Sequence, residues 1–217
     1  MHMKKEKDIS MIKPLPELKD IEGLNKYTYN FYYWGPMLFR SKLHPKDLKA
    51  VAKLCSKKSS FVNETLAGVI KHEHYVSPAK LVKIIEPYLN VFRESYKTWY
   101  GGPLDRQMVV RSAWVNFMRA GEFNPPHQHA DCDYSSVFFI KIPEKIREEN
   151  KKFKGRGLGP GSISFSYGEP QRYSLCYKHF LPEEGDFFMF PSTLTHYVCP
   201  FLSNEERISV SANFRFE

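Results

Sequence analysis

The sequence predicts an α+β protein, mainly β, with helices gathered in the first half of the chain. Three observations carry this. Aromatic residues make up 15% of the chain, with 17 Phe and 13 Tyr, and aromatic side chains favour the pleated surface of a sheet. Helical periodicity is confined to the first hundred residues. After Met108 the chain becomes a series of short apolar runs separated by Gly and Pro turns, the signature of a sandwich or barrel. At 217 residues the length fits one domain over residues 1–217. We divide it into a mostly helical support region, 1–107, and a β core, 108–217.

Pro45 follows His44 at a plausible helix start, and Leu48, Val51, Ala52 and Cys55 then repeat at helical spacing. Ser77-Pro78 reads as an N-cap with proline at the first helical position. Leu81, Ile85, Leu89, Phe92, Tyr96 and Trp99 follow on one face. Pro87 is expected to kink or divide this helix. The aromatic stretch Tyr27–Phe39 is expected to include a strand. Further strands are expected at Met108–Met118, Ser136–Ile142, Ile163–Tyr167, Phe187–Phe190, Tyr197–Cys199 and Arg207–Phe216, with Arg172–Tyr177 pairing to Ile163–Tyr167. Glu184-Gly185-Asp186 is a turn.

The formal charge is +8 and the pI is about 9.2, which permits an anionic partner without requiring one. The charged run Glu144–Arg156 reads as a solvated loop or short helix. Four cysteines stand apart, with no CxxC pair, which suits a reducing compartment and leads us to expect a cytoplasmic protein. No stretch approaches the roughly 18 apolar residues that a membrane span needs.

The densest chemical signal is Asn124–Asp133, NPPHQHADCD. Residues two apart on a strand share a face, so His127, His129 and Asp131 would look into one cavity. Imidazoles with a carboxylate suit a first-row divalent metal and leave open coordination positions. Downstream, His196 ends the run FPSTLTH, and Arg207-Ile208-Ser209 opens the last strand. A guanidinium is a bidentate carboxylate clamp. An inward Arg207 would need an anionic partner, because a buried unpaired charge is costly. Ser209 points to the same side.

Residues 114–213 resemble the 2-oxoglutarate/Fe(II) oxygenases of the double-stranded β-helix (jelly-roll) class. The resemblance rests on Trp114-x-Asn116, Gly121-x-x-Asn124-x-x-His127-x-His129, Ser136-Val137-Phe138-Phe139 and Gly185-Asp186. It continues through Phe190-Pro191-Ser192-x-Leu194-x-His196, Arg207-Ile208-Ser209 and Asn213. It implies a jelly roll with the N-terminal helices packed on one sheet, Fe(II) as metal and 2-oxoglutarate as co-substrate. The implied activity is a dioxygenase, a hydroxylase of unspecified substrate, coupling O2 reduction to 2-oxoglutarate decarboxylation.

Carried over residue by residue, His196 is the distal metal ligand, and Arg207 with Ser209 holds the remote carboxylate of 2-oxoglutarate. Two registers fit the proximal ligands. In one, His129 and Asp131 form H-x-D; in the other, His127 leads and His129 replaces the carboxylate. We favour the first, in which His129, Asp131, His196 and Arg207 are the catalytic set, because an all-imidazole site compensates less of the metal's charge. Asp133 falls in the following turn. Trp114, Asn116, Tyr134 and Phe138 are expected to line the pocket from strand parity and proximity to the motif, with Asn116 and Tyr134 in the 2-oxoglutarate-binding set.

Two rival readings exist. A cupin-type metalloprotein would use His127, His129 and His196 without 2-oxoglutarate, and would leave Arg207 unexplained. A non-catalytic jelly-roll binding protein would use the basic segment near Lys151 as its interface. The sequence does not choose among protein, nucleic acid and small-molecule substrates, and it is silent on oligomeric state.

Overall fold

The computed structural model describes residues 35–62, 66–155, 157–172 and 174–217. Two antiparallel sheets face each other across the molecule. The larger has the order β1 (Phe39–Lys42), β8 (Asp186–Pro191), β5 (Tyr134–Lys141), β10 (Arg207–Phe216), β3 (Met108–Met118) and β2 (Glu73–Tyr75). The smaller has the order β4 (Asn124–His127), β9 (Thr195–Val198), β6 (Ile163–Ser166) and β7 (Tyr177–Phe180). The partner of β6 thus begins at Tyr177, where the sequence suggested that it ends. Of the aromatic stretch Tyr27–Phe39, residues 27–34 lie outside the described residues.

Strand alternation divides the larger sheet into two faces. Val115 and Phe117 of β3, Phe138 and Ile140 of β5, and Val210, Ala212 and Phe214 of β10 pack towards the helices α1 (Pro45–Ala52) and α2 (Pro78–Tyr100). The opposite set, with Met118, Val137, Phe139, Phe188 and Phe190, fills the space between the sheets together with Ile163, Phe165 and Val198. Two layers of apolar burial therefore hold one sheet from both sides.

In α2 the predicted stripe is real: Leu81, Ile85, Leu89 and Phe92 are buried. The helix nevertheless runs through Pro87 undivided. Pro87 and Lys83, whose carbonyl loses its partner, are both on the exposed side, where water can satisfy that group. Gly101 ends the helix in the left-handed conformation, φ 75°, its N–H donating to the Lys97 carbonyl. The charged run forms α3 (Glu144–Lys152), anchored by buried Ile146 and by the Glu149 carboxylate, which accepts from the Leu202 and Ser203 amides. Among the described residues no helix is long and apolar enough to cross a membrane.

The turn into β8 depends on Gly185, at φ 83°. Its amide donates to the Phe139 carbonyl at 2.7 Å, and its carbonyl accepts from the Leu43 amide at 2.7 Å. Gly185→Ala should destabilise the protein by about 1–2 kcal/mol, the cost of a side chain in left-handed backbone. Urea denaturation reads this directly, and an unchanged midpoint would contradict the assignment.

Candidate metal and anion site

Between the sheets lies a cavity of about 860 Å³. β3 contributes Trp114 and Asn116, and β10 contributes Ser209 and Ser211, from the faces turned away from the helices. The smaller sheet supplies His127 and His196, which are cross-strand partners of β4 and β9. β4 ends at His127, so the next residues follow a loop and no longer alternate. The loop returns to the site because the His129 amide donates to the Ser192 carbonyl at 2.9 Å.

This brings His127, His129 and His196 together, with one nitrogen of each lying within 4.8 Å of the others. The Nε2 atoms of His129 and His196 are 3.3 Å apart. Nδ1 of His196 is 2.9 Å from the Leu194 carbonyl, and Nδ1 of His127 is 2.7 Å from the Pro125 carbonyl. A carbonyl only accepts, so each Nδ1 carries the proton and each Nε2 keeps its lone pair. Burial pushes the pKa of His196 down to about 3 and that of His129 to about 4, and lowers that of His127; neighbouring imidazoles add to the effect at His196 and His129. The rings are therefore neutral at pH 7, the state in which imidazole binds a metal. Phe190 packs edge-on against His196 at 4.6 Å, and the Trp114 ring lies 6.1 Å from that of His129.

Asp131 is not brought to this group. It lines the cavity but is exposed, and its carboxylate is not among the converging ligand atoms. The parity argument that placed it beside His129 assumed a strand, and the strand stops before both. Tyr134 and Phe138 are likewise elsewhere. Both lie in the helix-side core; Tyr134 packs on Phe92 at 5.1 Å, and burial and its Tyr100 neighbour raise its pKa. Tyr134, Phe138 and Ile140 of β5 pack into the helix-side core, and neither Tyr134 nor Phe138 lines the cavity.

Arg207 is 2% exposed. Its guanidinium lies 4.9 Å from the Phe139 ring, and Nη1 has only long contacts, with the Gly161 carbonyl at 3.5 Å and the Met118 sulfur at 3.6 Å. Among the described residues Nε has no hydrogen-bond partner. Among the described residues no carboxylate lies within ion-pair distance. Burial lowers its pKa only to about 10, so it stays charged at neutral pH. Ser209 is also buried and accepts from Asn116 Nδ2 at 3.5 Å, while Ser211 accepts from the same nitrogen at 3.3 Å. A buried cation with a hydroxyl on the same strand face and no counter-charge among the described residues is suited to receive an anion.

Glu73 escaped the sequence reading. It pairs with Asn116 across β2 and β3, lines the cavity and is 1% exposed. Burial, with the Glu122 carboxylate adding to it, raises its pKa to about 8, so it is a neutral acid at pH 7. Its context, His72-Glu73-His74-Tyr75, looks like a solvated polar segment, and nothing in the local pattern marks it as buried. Folding takes up a proton here, so the stability contribution falls as pH rises from the unfolded value of 4.5 towards about 8. Glu73→Gln should flatten that fall in thermal midpoints recorded across the window, and an unaltered slope would exclude a protonated Glu73.

Residues 112–213 match the family described as "Putative 2OG-Fe(II) oxygenase". No curated protein matches the sequence. Among solved structures, the chain is similar to a prolyl-4-hydroxylase from Pseudomonas putida, with TM-score 0.55 and 16% identity, covering 83% of this chain and 92% of that one. It is also similar to a prolyl hydroxylase from Trichoplax adhaerens, in complex with a hypoxia inducible factor peptide fragment, with TM-score 0.52 and 10% identity, covering 83% of each chain. A third is HygX from Streptomyces hygroscopicus, with nickel, 2-oxoglutarate and hygromycin B bound, with TM-score 0.51 and 10% identity, covering 83% of this chain and 82% of that one. At these identities the likeness is one of fold, the double-stranded β-helix.

Proposed function

From the 2OG-Fe(II) oxygenase core that residues 112–213 form, we propose that this chain is a hydroxylase whose metal is held by His127, His129 and His196. The observation that carries the reading is Arg207, a buried guanidinium without a counter-charge among the described residues, in the same cavity as three converging imidazoles. The donor set fits a first-row divalent cation, and the unmatched cation fits the far carboxylate of a dicarboxylate co-substrate. When bound, Fe(II) and 2-oxoglutarate supply the oxidising chemistry, consuming dioxygen and releasing succinate and carbon dioxide.

The chain's own residues have four tasks. The Leu194 and Pro125 carbonyls fix the tautomers of His196 and His127, so that ligand nitrogens are presented without prior deprotonation. Arg207 and Ser209 orient the dicarboxylate, the first by charge and the second by a hydroxyl donor. Phe139 and Met118 keep water away from that guanidinium, which strengthens its attraction for an anion. Trp114 and Phe190 wall the histidine group and limit which substrate carbon can approach it.

The cupin-type rival shares the same histidine set but gives Arg207 no partner. The hydroxylase reading is tested by incubating the iron-loaded protein with 2-oxoglutarate and a cell extract under isotopically heavy dioxygen. One heavy oxygen should appear in succinate and one in a product. Heavy succinate accompanied by a desaturated or epimerised product would remove the hydroxylase assignment and leave the oxygenase.

A further inference from the structure

β10 shows the cavity every second residue: Arg207, Ser209, Ser211, Asn213 and Arg215. Arg207 is buried at one end of this row and Arg215 is exposed at the other. At about 3.3 Å per residue they are roughly 26 Å apart along the strand. Ser211 pairs with Trp114, whose ring neighbours His129, so the histidine group lies near the middle. The cavity has a cation at each end.

A bulge doubles the outer cation. Asn213 pairs with Ser112 but Phe214 pairs with Val110, so Arg111 is an extra residue in β3. Val110 and Ala113 both pack on the helix-side core, Ala113 also bordering the cavity, whereas Arg111 and Ser112 line the cavity without joining that core. Regular alternation would have sent Arg111 towards the helices. Bulges re-aim side chains in this way beside active sites. Among the described residues, neither Arg111 nor Arg215 has a carboxylate within ion-pair distance. Asp131 lines the same cavity without bonding to either.

We propose that Arg111 and Arg215 form an anion subsite for the substrate, so that the molecule oxidised carries a carboxylate or phosphate group held at this end while its reacting carbon reaches the histidine group. Guanidinium forks match both anions bidentately. The direction in which the substrate lies rests on the oxygenase reading; the anion subsite does not.

The test is calorimetric titration of inorganic phosphate, and separately of acetate, into protein saturated with Fe(II) and 2-oxoglutarate without oxygen. Wild-type protein should bind at least one of them saturably, more weakly as salt rises. The R111Q/R215Q double variant, both of whose altered side chains are exposed, should bind it about tenfold less tightly, the size expected of two partly exposed charge contacts. The tighter of the two probes identifies the anion type. Equal affinity in the double variant, one-for-one displacement of 2-oxoglutarate, or no saturable binding of either probe would overturn the proposal. Thermal unfolding of the variant in the same buffer checks its fold. Titrating 2-oxoglutarate, and separately phosphate, into wild-type protein loaded with Fe(II) alone separates the two readings, since phosphate binding without 2-oxoglutarate binding would leave the subsite standing and remove the oxygenase.

Discussion

Arg207→Met should make the unliganded protein more stable while removing most of its response to 2-oxoglutarate. Among the described residues the native guanidinium is buried with weak partners only: a sulfur, a long carbonyl contact and a ring face. A buried charge without compensation costs several kcal/mol, and methionine fills a similar volume without that cost. The same substitution removes the charge-assisted bonds that would hold the far carboxylate. Two such bonds at about 1.5–3 kcal/mol each correspond to a loss of at least about a hundredfold in affinity. Thermal unfolding with and without the co-substrate reads both effects. Wild-type protein should gain roughly 2.7 kcal/mol at a ligand concentration a hundred times its Kd, and the variant should start higher and gain at most about 0.4 kcal/mol. A variant that loses stability in the unliganded state would mean that Arg207 has a structural partner and is not a vacant receptor.

His127→Ala should abolish Fe(II) binding, and Asp131→Ala should change it only a few-fold. The three imidazoles converge to within 4.8 Å, so deleting one leaves a two-point site. Losing even an outer partner of a metal ligand typically costs about 10–100-fold, and losing a ligand itself costs more. Asp131 is exposed, and a screened carboxylate near a cation is worth at most about 1 kcal/mol. Equilibrium dialysis against Fe(II) without oxygen measures both. If Asp131→Ala loses the metal and His127→Ala keeps it, the H-x-D register is correct and the loop closes on loading.

How much of this was legible in the sequence depends on the range of the physics involved. The helix stripe Leu81–Phe92, the strand Arg207–Phe216 and the inward pair Trp114 and Asn116 follow from local periodicity, and they stand where periodicity puts them. Periodicity failed where an element ended unannounced. Alternation through His127, His129 and Asp131 presumes a strand that in fact closes at His127. Tyr134 and Phe138 were assigned to the cavity by proximity to the motif, but which face of β5 meets α2 is a tertiary choice that no local pattern encodes. The bulge at Arg111 and the burial of Glu73 are tertiary in the same sense: each depends on how β3 meets its neighbours, β10 in one case and β2 in the other.

The central claim is that three neutral imidazoles and one unmatched guanidinium form a single Fe(II) and 2-oxoglutarate site. Its most direct test is an anaerobic Fe(II) titration read in the visible spectrum with and without 2-oxoglutarate, followed by exposure to air and assay of succinate. A weak charge-transfer band should appear only when metal and 2-oxoglutarate are both present, be absent in Arg207→Met and His196→Ala, and be followed by slow succinate release. Metal binding with neither band nor succinate would contradict the claim and leave a metal-binding jelly roll that does not use 2-oxoglutarate.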